Sequence, residues 1–288
     1  MSEMWTIRKM VRWIQDDLAA RGIASPRLDA ELIVAHALAV DRVRLYLDLE
    51  RPLDPTELAS IRALVARRRK REPMAYLRGR REFFGRDMIV SAAVLVPRPE
   101  TETLVERALA LIGKDQTARV LDLCTGSGCI GVTLLAERSA CSALLTDVSA
   151  DALDVARQNV EKHRVVDRAL LAQGDLFDAI DPLAPPFDLI VANPPYIAAA
   201  ERAQLEPDVR DFEPSIALFA DEGGLVVVRR IANGASSRLV SGGALLVEIG
   251  AGQGPLVRAA FERAGFADVV VHADLAGRDR VVEGRRGA

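Results

Sequence analysis

Four residues at the end of an apolar run combine groups that can bind a planar amine. The run FDLIVAN (187–193) predicts a buried strand, and Pro194, Pro195 and Tyr196 follow it directly. Proline has no backbone N–H, so two prolines in succession end the strand and stiffen the chain. The Asn193 side-chain oxygen and the Pro194 carbonyl can then accept the two hydrogens of an –NH2 group, while Tyr196 packs against its flat face.

The chemistry that this motif favours is methyl transfer to nitrogen. A carboxamide or aromatic amine is a weak nucleophile, because its lone pair is delocalised. Two fixed acceptors hold the nitrogen and favour the positive charge that builds on it during attack. The proton leaves after the methyl group arrives, so no strong base is needed. The motif predicts in-line displacement, with Asn193, Pro194 and Tyr196 as catalytic residues, on adenine, cytosine or a glutamine side chain.

A glycine-rich turn follows an earlier predicted strand, at 120–124. Residues 126–131 match G-x-G-x-x-G before a predicted helix, and Asp147 lies about twenty residues further on. This pattern is typical of dinucleotide binding, so a nicotinamide or flavin enzyme is one hypothesis.

Acidic residues near neighbouring strand ends favour a cationic cofactor instead. Asp122 lies in the strand before the glycine turn, Asp147 ends the next strand, and Asp175 ends the third. An acid so close to the turn would repel a pyrophosphate, whereas the sulfonium and ammonium groups of S-adenosyl-L-methionine are positive. Asp147 would hold the ribose hydroxyls of either cofactor, and Asp175 could accept from the adenine amino group. Any one of these acids could also be a helix cap.

Strands and helices alternate along the part of the chain that carries these residues. This alternation is typical of a doubly wound, mainly parallel sheet, whose ligands lie beyond the carboxyl ends of the strands. The last two strands are joined by a short turn, which requires an antiparallel strand. The predicted strands are 120–124, 144–148, 169–175, 187–193 and 244–250, with helices at 149–163 and 225–240 among them.

The first eighty residues predict helices. Asp54 is placed to cap one of them, with Pro55 at its first position and Glu57 three residues after the cap. That helix ends in the basic run RRRKRE (67–72). Such a run is most often a solvated helix end, with contact to an acidic partner surface as the alternative.

Composition limits the class of protein. The 288 residues carry a net charge of −3 with a pI near 5.8, which excludes a general polyanion binder. No apolar stretch reaches the ~18 to 20 residues of a membrane span, and the first residues do not resemble a secretory signal. The three cysteines and three histidines form neither a disulfide framework nor a pair at metal-ligand spacing. We therefore expect a cytoplasmic protein without a metal site.

Taken together, the motifs resemble the PrmC/HemK family, methyltransferases that modify the glutamine of the Gly-Gly-Gln motif in peptide chain release factors. NPPY alone is shared with amino-methylating DNA enzymes, but the motifs around it are not. The likeness covers most of the chain and rests on PMAYLRGRREFFG (73–85), VLVPRPETETLVE (94–106), VLDLCTGSGCIG (120–131), GDLF (174–177), VANPPYI (191–197), FEPSIALFADEGGL (212–225), LLVEIG (245–250) and LAGRDRVVEGR (275–285).

The resemblance implies an α/β protein with a Rossmann-like, seven-stranded class I methyltransferase sheet and a small all-α N-terminal domain. It implies a helical substrate-binding domain at 1–78, a β-hairpin linker at 79–97 and an S-adenosyl-L-methionine-dependent methyltransferase domain at 98–288. The enzyme would be a cytoplasmic monomer that acts on release factors, with no membrane association and no stable nucleic-acid binding.

The resemblance also implies roles for individual residues. Substrate contacts are expected from Asn193, Pro194, Pro195 and Tyr196. The family usually has glycine where Cys124 stands, and some members have a bulkier aromatic residue in place of Leu176. Cofactor contacts are expected from Cys124, Thr125, Gly126, Ser127, Gly128, Asp147, Leu176 and Asn193.

Other functions stay open at this point. Cys124 brings the loop closer to sister enzymes that methylate a ribosomal-protein glutamine, whereas PRPETE (97–102) is closer to the release-factor branch. A nucleic-acid amino-methyltransferase would need a target-reading domain and a large basic face, which the acidic pI argues against. A dehydrogenase and a non-catalytic adaptor are the remaining alternatives.

Overall fold

The computed structural model describes residues 4–287 and divides into two compact units. The first unit contains the described residues up to Gly79 together with Pro207–Phe212. The second unit contains the residues from Arg80 to Glu206 and those from Glu213 onward.

The regular elements alternate in the order expected for an α/β protein, with short 3-10 turns between some of them. The helices are α1 (Ile7–Ala20), α2 (Pro26–Ala37), α3 (Arg42–Leu47), α4 (Pro55–Arg69), α5 (Met74–Arg78), α6 (Glu102–Leu111), α7 (Cys129–Glu137), α8 (Ala150–Lys162), α9 (Pro207–Phe212), α10 (Ser215–Leu218), α11 (Asp221–Gly224), α12 (Val226–Ala235) and α13 (Gly254–Arg263). The strands are β1 (Arg80–Phe83), β2 (Arg86–Ile89), β3 (Arg119–Leu123), β4 (Ser142–Asp147), β5 (Ala169–Gln173), β6 (Phe187–Ala192), β7 (Ile197–Ala198), β8 (Phe219–Ala220), β9 (Leu239–Glu248), β10 (Phe266–Ala273) and β11 (Asp279–Arg286).

The first unit is a small helical bundle around an aliphatic core. Ile14, Ile33 and Ile61 come from three different helices and are almost fully buried in this core. The predicted capping box is confirmed at the start of α4: the Glu57 amide donates to Asp54 at 2.8 Å, and the Asp54 amide donates to Glu57 at 3.0 Å. This reciprocal pair satisfies two N–H groups that the helix leaves free.

The basic run at the end of α4 makes ion pairs within the first unit. All four of its arginines have carboxylate partners: Arg67 with Glu72, Arg68 with Asp29 and Asp208, Arg69 with Asp17, and Arg71 with Asp208. Arg68 and Asp29 are buried, so this pair holds α4 to α2. Because Asp208 lies in α9, Arg68 also holds that helix in the unit. These arginines are thus structural residues of the unit.

The second unit is built on a seven-stranded sheet with the order β10-β11-β9-β6-β3-β4-β5. The pairs from β9 to β5 are parallel, while β11 runs antiparallel to both of its neighbours. The predicted fold class, including the antiparallel hairpin at the end of the chain, is confirmed. A separate hairpin of β1 and β2 precedes the sheet.

Side chains of the central strands alternate between two apolar cores, one on each face of the sheet. Val120, Val191 and Leu246 belong to the first core. The second core contains Leu121, Ile190, Ala192, Leu245 and Val247, which are next to them in the chain. Helix α6 packs into the first core through Leu104 and Val105. The same alternation places Asn193, two residues after Val191, and Glu248, two residues after Leu246, on this face of the sheet. Both lie beside the start of α6.

Candidate active site

The carboxyl ends of β3, β4, β5 and β6 surround a cavity of about 260 Å³. Its wall contains eight of the residues predicted to bind cofactor or substrate, namely Cys124, Thr125, Gly126, Ser127, Asp147, Leu176, Asn193 and Pro195. The other three predicted residues, Gly128, Pro194 and Tyr196, lie outside this wall. The structure therefore brings the glycine turn, the acidic strand ends and NPPY to one site.

The glycine turn is held by two hydrogen bonds that its amides donate to the end of the neighbouring strand β4. The Thr125 amide donates to the Thr146 carbonyl at 2.9 Å, and the Gly126 amide donates to the Asp147 carboxylate at 2.9 Å. Gly128 has φ +78° and starts α7, a conformation that L side chains rarely adopt. Its role is thus to turn the chain into α7.

Asp122 does not line the cavity, contrary to its expected place beside a cationic ligand. It is fully buried, and its Oδ2 accepts from the Thr125 hydroxyl at 2.6 Å and from the Gly131 amide at 2.9 Å. Burial raises the pKa of Asp122 to about 7, against the two hydrogen bonds that lower it. Both partners belong to the turn and the helix after it, so Asp122 fixes the shape of the turn.

This carboxyl makes the stability of the protein depend on pH. The pKa of Asp122 in the folded protein lies above its ordinary value of 3.8. Between about pH 4 and pH 7, Asp122 is therefore protonated in the folded protein and ionised in the unfolded chain. The stability that this group contributes is lost as the pH rises through that window. We expect Asp122→Asn to remove this loss, worth a few kcal/mol of unfolding free energy between pH 5 and pH 8.

Urea unfolding of the wild type and of Asp122→Asn at both pH values measures the effect. The exposed residue Asp115 gives the control variant Asp115→Asn, which should follow the wild type. Other titrating groups are common to all three proteins and cancel in the comparison. Parallel pH dependence of the wild type and Asp122→Asn would contradict the expectation.

The acids at the next strand ends differ in their partners. Both oxygens of Asp147 accept backbone N–H groups, from Gly126 at 2.9 Å and from Ser149 at 3.0 Å. Asp175 lines the cavity and pairs with Arg230 at 2.8 Å, where both side chains are about half exposed. Asp147 is therefore held rigidly, whereas Asp175 lies at the solvent side of the cavity.

Two non-glycine residues of the wall have left-handed backbone conformations. Cys124 has φ +56° and Leu176 has φ +53°. This conformation costs an L residue roughly 1 kcal/mol or more, which gives a physical reason for the glycine that the family usually has at the first position. Burial raises the pKa of the Cys124 thiol far above its ordinary range, so the thiol stays protonated.

The NPPY segment presents unpaired acceptors. The Asn193 Nδ2 donates to the Thr101 hydroxyl oxygen at 3.2 Å. Among the described residues, no donor reaches Asn193 Oδ1 or the Pro194 carbonyl. Burial raises the pKa of Tyr196 to about 12, so its phenol is neutral at physiological pH. The segment can thus accept hydrogen bonds from a neutral amide without an ionised group of its own.

Two loops of the cavity wall were not predicted as site residues. One contains Ala93 to Arg98, and the other contains Pro214, Ile216 and Ala217. Glu213 joins them, because its carboxylate accepts from the Val96 amide at 3.2 Å and from the Arg98 guanidinium at 2.6 Å. The signal was present in the sequence, since the family-specific PRPETE and FEP motifs fall on these loops.

Comparison with known proteins gives the family. A family model described as PrmC N-terminal domain matches residues 9–79, and one described as Methyltransferase small domain matches residues 101–239. A release factor glutamine methyltransferase of Geobacter sulfurreducens is 43% identical over 285 residues, which cover 99% of this chain and 98% of the relative. The chain belongs to the release factor glutamine methyltransferase family. The enzyme of the same name from Cereibacter sphaeroides is 48% identical over 268 residues, covering 93% of this chain and 94% of the relative.

Solved structures agree on the fold of this family member. A methyltransferase from Pyrococcus furiosus matches with a TM-score of 0.52 at 15% identity, covering 72% of this chain and 91% of that one. The catalytic domain of hMettl16, in complex with the MAT2A 3′UTR hairpin 6, matches with a TM-score of 0.57 at 19% identity, covering 80% of this chain and 81% of that one. At these identities the likeness shows the class I methyltransferase fold alone.

The cofactor of this glutamine methyltransferase is S-adenosyl-L-methionine, and the site fits it. Asp147 and Asp175 give the cavity wall an acidic character that suits a cation. Behind the wall, Asp122 and Glu248 each have one buried carboxylate oxygen without a hydrogen-bond partner among residues 4–287. A positive ligand in the cavity would offset the cost of these buried charges.

Membrane helices, metal sites and cysteines were also considered in the sequence, and the described part of the chain gives a finding on each. No helix there is long and apolar enough to cross a membrane. No group of three or more His, Cys, Asp or Glu residues among those described is placed to hold a metal ion. Cys124, Cys129 and Cys141 are all free thiols.

Proposed function

We propose that this enzyme methylates the side-chain amide nitrogen of the glutamine in the Gly-Gly-Gln motif of peptide chain release factors. The Asn193 Oδ1 and the Pro194 carbonyl would accept the two amide hydrogens, and Tyr196 would pack against the amide plane. Membership of the family supports the substrate, because both relatives described above carry the name release factor glutamine methyltransferase.

The observation that carries the proposal is the state of the Asn193 side chain. One hydrogen of its nitrogen is bonded to Thr101, its oxygen accepts from no donor among the described residues, and Asn193 lies in the cavity wall, so the oxygen is available to a ligand. An oxygen fixed there accepts from an –NH2 group and cannot bind a carbonyl or carboxylate in the same way. A free acceptor oxygen at this place supports a planar amine or amide as the substrate group.

S-adenosyl-L-methionine supplies an electrophilic methyl group when it is bound. The chain's own residues orient the reactants and stabilise charge: the acceptors favour the positive charge that develops on the amide nitrogen during in-line displacement. That nitrogen then loses one of its two protons. We propose that Cys124, Thr125, Gly126, Ser127, Asp147 and Leu176 contact the cofactor, with Asn193 between cofactor and substrate and Gly128 shaping the turn.

We further propose that the helical domain at 1–78 binds the release factor, that 79–97 is a hairpin linker, and that 98–288 carries the chemistry. The match of residues 9–79 to the PrmC N-terminal domain supports the first assignment. A monomeric cytoplasmic enzyme without stable nucleic-acid binding remains our prediction.

Methyl transfer from labelled S-adenosyl-L-methionine to an unmodified release factor tests the proposal directly. We expect label on the glutamine of Gly-Gly-Gln, located by peptide mass spectrometry. A release factor in which this glutamine is replaced by asparagine is the matched control and should stay unlabelled.

Absence of label from that glutamine, with cofactor binding demonstrated by calorimetry, would overturn the proposed substrate. Ribosomal proteins and then nucleic acids, offered in the same assay, would show whether the planar amine belongs to another macromolecule.

A further inference from the structure

Two buried polar residues, Thr101 and Glu248, and the half-buried Asn193 meet at the amino end of α6. Thr101 immediately precedes this helix, Asn193 follows β6, and Glu248 is the last residue of β9. Strands β6 and β9 are parallel neighbours with Ala192 opposite Val247, so Asn193 and Glu248 come next to each other at the strand ends. Thr101 and Glu248 are 2% and 1% exposed, respectively.

The three side chains form a chain of hydrogen bonds in which Asn193 donates to Thr101 and Thr101 donates to Glu248. The Thr101 side chain lowers the pKa of Glu248, which is the effect of a hydroxyl that donates to the carboxylate, and the Thr101 oxygen accepts from the Asn193 Nδ2 at 3.2 Å. A hydroxyl has a single hydrogen, and an ionised carboxylate can only accept. Once Thr101 donates to Glu248, it can offer Asn193 only a lone pair, which binds Nδ2 and not Oδ1.

We infer that Thr101 and Glu248 are positioning residues, which hold the Asn193 side chain with its nitrogen inward and its oxygen available to the substrate amide. The inference rests on the proposed function and adds the groups that set the polarity of the acceptor. Without them, rotation of the Asn193 amide by about 180° would present an –NH2 group to the substrate –NH2 group, and two donors do not bond.

The cost of Glu248 to folding supports a functional reason for its presence. Its Oε2 is buried without a hydrogen-bond partner in the described chain, and burying an incompletely paired carboxylate is unfavourable. An apolar residue would fill the same volume without this cost. A carboxylate at this place is thus better explained by what it does to Thr101 than by what it adds to stability.

Charges around Glu248 act in both directions. Burial raises the pKa of Glu248 to about 7, whereas the Thr101 hydrogen bond, Arg280 and Arg98 lower it and Glu100 raises it. Tyr196 also faces this carboxylate but is neutral at physiological pH. Burial outweighs the two arginines, from β11 and from the loop before α6, so Glu248 is in the ionised form that can only accept from Thr101 at pH values above about 7.

A pair of substitutions at Thr101 separates hydrogen bonding from packing. Thr101→Val keeps the shape and removes the hydroxyl, while Thr101→Ser keeps the hydroxyl and removes a methyl group. With release factor as substrate, we expect Thr101→Val to lower kcat by about 10- to 100-fold and Thr101→Ser to keep it within about threefold of the wild type. The Kd of S-adenosyl-L-methionine should change little in either variant. The thermal midpoint of Thr101→Val should fall, because buried Glu248 loses its partner, so the rates are compared at a temperature at which both variants are folded.

The side-chain amide resonances of Asn193 provide a readout that needs no turnover. In the protein without ligands, the two Nδ2 proton signals, assigned by their loss in Asn193→Ala, should move in Thr101→Val and stay in place in Thr101→Ser. Equal kcat in the two Thr101 variants, or unchanged Asn193 resonances in Thr101→Val, would overturn the inference. A wild-type enzyme that fails to label the release factor would instead overturn the proposed function. The Asn193 resonances would still test whether Thr101 and Glu248 hold its side chain.

Discussion

Asn193→Ala is expected to lower kcat for release-factor methylation by about 100- to 1000-fold, the usual effect of removing one fixed hydrogen-bonding group that stabilises a transition state. The acceptor oxygen disappears, so the substrate amide loses one of its two fixed partners and the charge on its nitrogen is no longer stabilised. The Kd of S-adenosyl-L-methionine should rise less than about tenfold, because the glycine turn and Asp147 are untouched.

Single-turnover methyl transfer and calorimetric cofactor binding give the two quantities separately. Gln158→Ala removes an exposed amide from α8 and is a control for unspecific effects of losing an amide side chain. A variant Asn193→Ala that methylates at the wild-type rate would exclude Asn193 from catalysis. A loss of cofactor binding equal to the loss of rate would move its role from the substrate to the cofactor.

Gly224→Ala is expected to have the largest effect on the structure of the site. A Cβ at this position would lie 1.8 Å from the Tyr196 carbonyl oxygen and 2.6 Å from the carbonyl carbon, and the backbone has φ +83°. Both clashing atoms belong to the backbone, so no side-chain rotation can relieve the overlap. Either the chain after NPPY or the turn at α11 must therefore move. We expect the variant to lose more than about 3 kcal/mol of unfolding free energy, or else to lose nearly all of its methyl-transfer activity.

Gly223→Ala is a matched control in the same turn. Gly223 also has a left-handed conformation, φ +68°, but nothing lies within 4 Å of the Cβ that it would acquire. This variant should show only the cost of the backbone conformation, roughly 1 to 2 kcal/mol. Urea unfolding and methyl transfer on both variants measure the difference. Similar values for the two would mean that the close approach of Gly224 to Tyr196 does not matter.

Loops held by distant residues complete the site. Glu213 bonds to Val96 and Arg98, which are 117 and 115 residues away along the chain. Local sequence patterns contain no information about such pairs, because nothing in the spacing of PRPETE or FEP specifies which loop faces the other. The resemblance marked both motifs as specific to the family, and only their meeting in the second unit showed that they form one wall of the cavity.

Asp122 shows how the same residue type can be misread from its position in a strand. A carboxylate four residues before a glycine turn was expected to face a cationic ligand, yet it accepts from the Thr125 hydroxyl and the Gly131 amide behind the turn.

The predicted helix at 225–240 was too long at its carboxyl end: α12 ends at Ala235 and β9 already begins at Leu239. An apolar pattern continues across this boundary, so its period did not mark the change from helix to strand.

The amino-acid sequence by itself determined the elements whose causes are local. Apolar runs predicted the central strands, Asp54 with Glu57 predicted the start of α4, and two prolines after Asn193 ended β6 with acceptors at the sheet edge. Tertiary structure alone decided which oxygen of the site is free and what holds it. Thr101 lies 92 residues from Asn193 in the chain, and the adjacency of β6 and β9 brings Glu248 to the same place. Strand order and the alternation of side chains across the sheet set these contacts, and both are properties of the assembled sheet.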